Sequence, residues 1–436
     1  MTPWRSVWLA VGLLAALLVG CASAPNLAGL PAAPPTPAAA QASPTATQAP
    51  TPTPGPPTDL RLWVAASLGP EARPEAWKIL QRARDEFALQ HGVTLELRVK
   101  PDWGPGGVPE AALWARTAAP DAAPDLILAP VDVLEAARAK RRWPPLEPAV
   151  AVGGWYPFAA QAVLDHDRPF AYPVAAEAPV LAWPASVEPP LPTTWEEWAA
   201  SPVPWSWAAR DPRAWSAWAL YLAAGGRPGS VVSPRLVQAE PLAALLEFLV
   251  QARWNDALRT DARLWYDMNA LWSGLQGEGI GLVVWSAAVV GEDGWQWGPL
   301  PGPEGPGPLM MRVYAWAVLT EDPARRDLAL AWLSRVTAAG WNGPWARAAG
   351  LWPTTSAGLQ QGWGAAQARA WEPWLQRAQP APPLAVREAA AAALRRAVLQ
   401  VLDGVSTPLD AAAQALLALG VPEAQATPGP TPQATP

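Results

Sequence analysis

The spacing of hydrophobic and polar residues predicts a strand, a helix and a second strand at the start of a folded region. Residues 59–65 alternate and then become apolar, and residues 93–100 alternate again, which is typical of β-strands. Between them, residues 74–91 place apolar side chains at helical spacing. A proline near the start and Gly92 after the end are typical helix boundaries, so this segment is predicted to be a helix.

The pattern continues with a helix over residues 109–119, a short buried strand over residues 125–129 and a helix over residues 132–142. This alternation of strands and helices predicts an α/β fold with parallel strand pairs and helices on both faces of the sheet. In such sheets ligands bind at the carboxyl ends of the strands. The loops after Ala65 and Ala129 are therefore candidate sites.

The first twenty residues are predicted to be a signal peptide. Arg5 precedes an apolar run of about thirteen residues, shorter than the ~20 residues that span a bilayer. The run ends at Leu18-Val-Gly-Cys21, which resembles the lipobox of bacterial lipoproteins. The resemblance implies cleavage before Cys21 and lipidation of its thiol, and several acyl chains on one residue give stable anchoring. A free thiol that falls here by chance is the alternative.

Two proline-rich segments flank the folded region. Residues 22–58 contain eleven prolines and no charged residue, so they cannot bury apolar surface. We predict that residues 21–58 form a lipid-anchored, extended Pro/Thr/Ala-rich linker that separates the folded region from the membrane. Residues 421–436 repeat this composition and are predicted to be a disordered tail.

The composition excludes several classes of function. The chain of 436 residues carries a formal net charge of −6, which disfavours non-specific binding of nucleic acid. It has one cysteine and two histidines, so a disulfide within the chain is impossible and a Cys/His zinc site is nearly excluded. Neither a Gly-x-Gly-x-x-Gly motif nor a phosphate-binding loop follows the first strand. We therefore expect no metal, no cofactor and no nucleic-acid partner.

Three segments in the middle of the chain carry a family resemblance. They read Trp155-Tyr-Pro-Phe158, Phe170-Ala-Tyr-Pro-Val-Ala-Ala-Glu177-Ala and Leu191-Pro-Thr-Thr-Trp-Glu-Glu-Trp198. In this order they resemble the extracellular solute-binding proteins of ABC importers, especially the maltodextrin and oligosaccharide-binding branch. A Gly350-Leu-Trp-Pro353 loop and a C-terminal Leu402-Asp-Gly404 signature extend the resemblance over residues 59–420.

The resemblance implies a two-lobed periplasmic-binding-protein-like fold of class II, with a hinge and a ligand cleft between the lobes. The first lobe would contain residues 59–175 and 307–335, and the second residues 176–306 and 336–420. A cleft of this kind desolvates a ligand from both sides, and its closure is a hinge motion.

The resemblance also implies three carboxylates as ligand residues. Glu177 lies in the stretch where the sugar-binding branch places a carboxylate, although a solvated or hinge carboxylate is the alternative. Asp132 follows the third predicted strand, where a helix N-cap is an equally good interpretation. Asp211 matches a family turn only in part, because Arg213 replaces its aromatic residue.

Aromatic side chains supply the stacking faces that sugars need. Trp285 lies about three positions from the stacking tryptophan of the family. Trp63, at the end of the first strand, faces the cleft or packs beneath it. Tyr314 and Trp316 lie on a strand near the crossing between lobes, and at most one face of this pair meets ligand.

The family pattern is incomplete in the C-terminal helix. Residues 389–393 are all alanine where the maltodextrin branch places a stacking tryptophan. A maltodextrin is therefore not specifically implied, and another sugar, a polyol or a different small solute remains open.

These observations predict an extracytoplasmic, lipid-anchored, monomeric solute-binding protein. It would capture a small ligand, with a carbohydrate as the first expectation, by hinge closure and deliver it to an ABC transporter permease without covalent chemistry. The alternative is a surface lipoprotein with an altered cleft that acts as a receptor or adaptor. A glycosidase is disfavoured because the adjacent acids Glu196 and Glu197 follow Thr194 as first-turn residues of a capped helix, whereas glycosidase carboxylates face each other across ~5–9 Å.

Overall fold

Two β-sheets organise the part of the chain that the computed structural model describes, namely residues 59–140, 143, 146, 154–188, 190–229 and 236–420. The predicted signal peptide, Cys21, the linker and the C-terminal tail lie outside the described residues. Within them, no helix combines the length and the hydropathy needed to cross a membrane.

The described residues contain thirteen strands: β1 (Asp59–Ala65), β2 (Thr94–Lys100), β3 (Leu126–Pro130), β4 (Leu164–Asp165), β5 (Arg168–Pro169), β6 (Tyr172–Glu177), β7 (Pro179–Pro184), β8 (Trp205–Ser206), β9 (Gly281–Trp285), β10 (Trp295–Gly298), β11 (Met310–Val318), β12 (Trp352–Pro353) and β13 (Gln379–Pro380).

They also contain fourteen α-helices: α1 (Pro74–His91), α2 (Val108–Ala118), α3 (Val131–Lys140), α4 (Pro157–Ala162), α5 (Trp195–Ala199), α6 (Trp215–Ala223), α7 (Ala239–Trp254), α8 (Met268–Leu275), α9 (Ser286–Val289), α10 (Pro323–Thr337), α11 (Ala339–Ala348), α12 (Ser356–Arg377), α13 (Leu384–Leu402) and α14 (Pro408–Ala418). Three short 3-10 helices cover Ala66–Leu68, Pro120–Ala122 and Thr260–Leu264.

The elements predicted for residues 59–140 are confirmed to within one residue at the ends that the structure describes. The three strands are β1, β2 and β3, and β1 pairs in parallel with both of the others. Helix α1 ends where predicted because Gly92 adopts a left-handed conformation (φ 65°) and its N–H donates to the carbonyl of Ala88.

The first sheet has the strand order β12-β6-β11-β3-β1-β2, with β13 paired to β11. Strand β11 runs antiparallel to both of its neighbours, β3 and β6. Helices α1 and α10 cover one face of the sheet, and α2 and α3 cover the other. Because both faces are covered, β3 is apolar and buried along its whole length.

The second sheet has the strand order β10-β7-β9-β8. One face packs against α6, α7, α13 and α14 in a core rich in tryptophan, where the rings of Trp198 and Trp205 stack at 4.1 Å. The other face, which includes Ala182 and Val284, shares a core with Ala176 and Val313 of the first sheet. This shared core joins the two sheets.

The chain passes from the first sheet to the second through Ala178, the single residue between β6 and β7, and returns between β10 and β11. Strand β12 pairs with β6 in the first sheet, although it lies in the range 336–420 that we assigned to the second lobe. Helices α13 and α14, in the same range, pack in the core of the second sheet. The lobe boundaries stay a prediction.

The predicted helix cap at Thr194 is confirmed at the start of α5. Thr194 Oγ1 accepts a hydrogen bond from the N–H of Glu197 at 3.2 Å, and the carboxylate of Glu197 accepts one from the N–H of Thr194, also at 3.2 Å. This reciprocal pair is a capping box. Hydrogen bonds from Thr193 and Thr194 lower the pKa of Glu197. Capping therefore accounts for Glu197, one of the two adjacent acids in this turn.

We expect Thr194→Ala to lower the free energy of unfolding by about 1 kcal/mol, since the variant leaves an N–H at the helix start without its acceptor. Chemical denaturation measures the change. Glu196→Ala, which alters an exposed side chain in the same turn, is the control. Equal stability of the Thr194 variant and the wild type would contradict the capping role.

Candidate functional site

Arg312 occupies the centre of a buried group of charged side chains at the end of the first sheet. Its guanidinium lies within ion-pair distance of three carboxylates, at 3.4 Å from Glu177, 3.7 Å from Asp132 and 3.7 Å from Asp102. Only 13% of the Arg312 side chain is exposed. We call these four residues, together with Arg73, Arg213 and Arg387, the Arg312 cluster.

Strand register positions the centre of the cluster. Arg312 on β11 lies directly opposite Glu177, the last residue of β6, in an antiparallel pair. Asp132 lies two residues beyond the end of β3, in the first turn of α3, so it is not the N-cap of that helix. The third strand is followed directly by α3 rather than by a loop, and the first turn of this helix contributes Asp132 at the carboxyl end of the strand.

Glu177 is almost fully buried, with 2% of its surface exposed. Tyr314 Oη donates a hydrogen bond to its Oε1 at 2.6 Å, and Arg73 Nη2 lies 3.6 Å from its Oε2. Burial, followed by the charge of Glu177, raises the pKa of Tyr314, so the phenol remains a donor. The carboxylate is thus held from three directions by Arg312, Tyr314 and Arg73.

Asp132 links the first sheet to the helices of the second. Arg387 of α13 donates a hydrogen bond from Nη2 to Asp132 Oδ2 at 2.9 Å, and Arg213 Nη1 lies 3.8 Å from the same oxygen. Burial alone would raise the pKa of Asp132, but the charges of Arg312, Arg387 and Arg213 lower it below its usual value. The side chain is therefore an ionised acceptor between two packing units, namely the first sheet with its helices and the second sheet with its helices.

Tryptophan rings form the walls of the site. The guanidinium of Arg387 lies 3.8 Å from the centre of the Trp215 ring, and the edge of Trp215 meets Trp285 at 5.1 Å between ring centres. The guanidinium of Arg213 lies 4.1 Å from the centre of the Trp103 ring. The rings of Trp103 and Trp215 thus each have an arginine of the chain against one face.

A cavity of about 100 Å³ adjoins the cluster. Its polar lining consists of Asp132, Glu135, Gln161, Arg312 and Arg387, with Trp215 on one side. Since a water molecule takes about 30 Å³ of liquid volume, this space holds a few waters or one polar group of a ligand. No group of His, Cys, Asp and Glu residues within the described part of the chain could hold a metal ion.

Four of the seven predicted ligand residues meet here: Asp132, Glu177, Trp285 and Tyr314. The other three lie at its margin or in the core. Asp211 accepts hydrogen bonds from the N–H groups of Arg213 and Trp215, each at 2.9 Å, and so fixes the start of α6 beneath the site. Burial raises the pKa of Asp211.

The remaining two predicted residues are tryptophans packed in the cores of the molecule. Trp63 is 2% exposed, and Lys100 Nζ lies 4.8 Å from its ring centre. Trp316 is 1% exposed and meets Trp332 of α10 edge to face at 6.1 Å. Contact of either residue with a ligand stays a prediction.

The sequence interpretation missed Arg312, Arg387, Trp215 and Trp103. For Arg387 a signal was present, because the arginine lies among Val386, Ala390 and Leu394 on the apolar, buried face of α13. A charge on such a face indicates a buried counter-charge. For Arg312 no local signal existed, since its neighbour Glu177 is 135 residues away in the chain.

Glu135 generates a pH-dependent prediction. Burial raises its pKa from 4.5 to about 7, although the N–H of Leu384 donates a hydrogen bond to its Oε2 at 2.8 Å. Asp132 raises the pKa further, and Arg387 and Arg138 oppose the shift. Ionisation is therefore less favourable in the folded protein than in the unfolded chain. The contribution of Glu135 to the free energy of unfolding is therefore fully present below pH 4.5 and is lost as the pH rises to about 7.

We expect Glu135→Gln to be more stable than the wild type at pH 8 and to lose this advantage towards pH 5, because glutamine still accepts the Leu384 hydrogen bond but carries no charge. Each unit of pKa shift corresponds to about 1.4 kcal/mol. Chemical denaturation at several pH values measures the difference. Glu388→Gln, at an exposed acid on α13, is the control. A constant difference between Glu135→Gln and the wild type across this range would contradict the assignment.

Comparisons with known proteins connect this geometry to a fold. No protein-family model matches the chain, and no curated protein matches it in sequence. Among solved structures, the crystal structure of the cyclic α-maltosyl-1,6-maltose binding protein from Arthrobacter globiformis is similar to it, with a TM-score of 0.67 and 16% sequence identity over 84% of this chain and 98% of that chain. The α/β chain thus has the predicted two-lobed, periplasmic-binding-protein-like fold.

Proposed function

We propose that the protein is an extracytoplasmic solute-binding protein that captures a carbohydrate and delivers it to the permease of an ABC importer. The observation that carries the proposal is that carboxylates and aromatic rings surround one guanidinium. Arg312 lies 3.7 Å from Asp132 and 3.4 Å from Glu177, and 5.7 and 5.8 Å from the ring centres of Trp215 and Trp285. The shared fold supports it, because the similar protein of known structure is a sugar-binding protein.

The chemistry of the site suits a sugar. Sugars present hydroxyl groups that donate to carboxylates and accept from guanidinium groups, and the Arg312 cluster supplies both types of group. The C–H faces of a sugar ring pack on aromatic rings, which Trp215 and Trp285 supply. A ligand that displaced Arg387 from the Trp215 ring would occupy the same face.

The proposed mechanism is closure of a hinge. The links across the site include the hydrogen bond between Asp132 on α3 and Arg387 on α13, so a ligand that contacts both helices favours the closed arrangement. Ligand binding then shifts the population towards that arrangement, and the permease would recognise the closed surface. No covalent step is part of this function.

A receptor or adaptor role is the second candidate. It is favoured by one observation, the occupation of the Trp215 and Trp103 faces by Arg387 and Arg213 of the chain itself. If these contacts persist in solution, the cleft is closed to solutes and the protein acts through its surface.

Thermal unfolding of the full-length protein, in a detergent without a sugar headgroup, distinguishes the two roles. The trial ligands are mono- and oligosaccharides, polyols, amino acids and phosphorylated metabolites. A ligand at a hundred times its dissociation constant stabilises the protein by about 2.7 kcal/mol, which is a shift of several degrees. We expect a shift confined to carbohydrates, with compaction seen by X-ray scattering. No shift across the panel would favour the adaptor.

Glu177→Gln provides the companion experiment for this binding function. The change removes the charge that Arg312 and Arg73 face, so we expect weaker sugar binding and no release of reducing sugar by either the wild type or the variant. Turnover by the wild type that the variant loses would indicate a glycosidase.

We also propose that the chain is anchored to the outer face of a cell membrane through lipidated Cys21, which would place the binding site outside the cytoplasm. Cys21→Ser removes the thiol that receives the lipid. We expect unprocessed precursor to accumulate and the membrane-bound mature form to disappear, as measured by fractionation and mass spectrometry. A variant that is still processed and membrane-bound would contradict lipidation.

A further inference from the structure

Arg387 is a buried cation with unpaired donors. Only 1% of its surface is exposed, and its Nη2 donates to Asp132 at 2.9 Å. Its Nε and Nη1, both buried, have no hydrogen-bond acceptor among the described residues. Buried charged donors without acceptors are costly, so an acceptor from outside the chain is expected at this position.

The two arginines that carry these unpaired donors line the same cavity. Arg387 and Arg312 both line the space of about 100 Å³ beside the cluster. Arg312 Nε is also buried and has no hydrogen-bond acceptor within the described part of the chain. The cavity is therefore bordered by two arginines, each of which has at least one donor without an acceptor among the described residues.

The four arginines of the cluster have carboxylates nearby. Arg73, Arg213, Arg312 and Arg387 lie within ion-pair distance of Asp102, Asp132 or Glu177. Two further acids, Glu135 and Asp211, act electrostatically on Arg387 and Arg213. The unpaired donors of Arg387 and Arg312, rather than an excess of positive charge, therefore indicate an anionic ligand group.

The same site contains a buried acceptor that a hydroxyl group would satisfy. Asp132 Oδ1 is buried without a hydrogen-bond donor among the described residues, and it lies 3.7 Å from Arg312 Nε. A hydroxyl group can donate to the carboxylate and accept from the guanidinium at once, whereas a carboxylate can only accept. Asp132 Oδ1 and Arg312 Nε therefore suit a hydroxyl group of the ligand, next to its anionic group.

We propose that the ligand of this site is an acidic saccharide, whose carboxylate or phosphate accepts hydrogen bonds from Arg387 and Arg312 while a neighbouring hydroxyl binds Asp132. This inference rests on the function proposed above and narrows its substrate class. Arginine suits the role because its planar donors match the oxygens of a carboxylate or a phosphate.

Isothermal titration calorimetry of the full-length protein, in a detergent without a sugar headgroup, tests the inference. The acidic probes are D-glucuronate, D-galacturonate and D-glucose 6-phosphate, and the neutral probes are D-glucose and D-galactose. We expect an acidic probe to bind at least about tenfold more tightly than the neutral sugar with the same ring, which corresponds to about 1.4 kcal/mol. The uronates and the sugar phosphate distinguish the two anionic groups, and inorganic phosphate shows whether the ring is needed.

Two variants of α13 separate a binding role of Arg387 from a structural one. We expect Arg387→Gln to weaken the binding of the acidic probe by at least about tenfold and that of the neutral sugar by less than about twofold. Arg387→Lys, which keeps the charge, should retain part of the preference for acid. Arg396→Gln, at an exposed arginine of the same helix, is the control and should bind as the wild type does.

The outcomes separate this inference from the proposed function. Neutral sugars that bind as tightly as their acidic counterparts would overturn the inference and leave sugar binding intact. An equal loss of both ligands in Arg387→Gln, with folding preserved by circular dichroism, would also overturn it. No binding of any sugar would contradict both proposals.

Discussion

The burial of Arg312 at the end of the first sheet is the constraint on which the centre of the molecule depends. A guanidinium that is 13% exposed is stable there only if carboxylates surround it, and the three that do so come from separate parts of the first sheet and its loops. Burial alone would lower the pKa of Arg312, but the carboxylates of Asp132, Glu177 and Asp102 hold it above its usual value. The positions of these groups are therefore fixed together.

The same charges connect the two packing units. Asp132 lies in the first turn of α3 on the first sheet, and its hydrogen bond to Arg387 reaches a helix whose apolar face lies in the core of the second. A shared apolar core lies on the other side of the strands that join the sheets. Apolar packing is non-directional, whereas the ion pairs require particular atoms to face each other. The polar contacts therefore specify the alignment of the two units, and the core supplies most of the attraction.

Local pattern was enough to predict the first half of the first sheet, because strands β1, β2 and β3 and their helices lie consecutively in the chain. The second sheet and the place of β11 could not be derived from periodicity, since their pairings join distant segments; the two-lobed fold came from the family resemblance. At the site, Glu177 and Asp132 were predicted from their positions in segments that resemble those of the solute-binding family. Tyr314 and Trp316 lie on the same side of β11, so strand alternation could not distinguish them; Trp316 packs against Trp332 of α10, whereas Tyr314 reaches Glu177.

Strand β11 has a consequence for synthesis on the ribosome. It pairs with β3 and β6, yet it begins about 180 residues after β3 ends. Until β11 emerges from the ribosome, the edges of β3 and β6 with which it pairs lack this partner. Unpaired edges of this kind are prone to pair with other chains. Contacts this distant in sequence also slow folding. The strand that holds Arg312 therefore closes the first sheet late, and the charged centre forms only when most of the chain has been made.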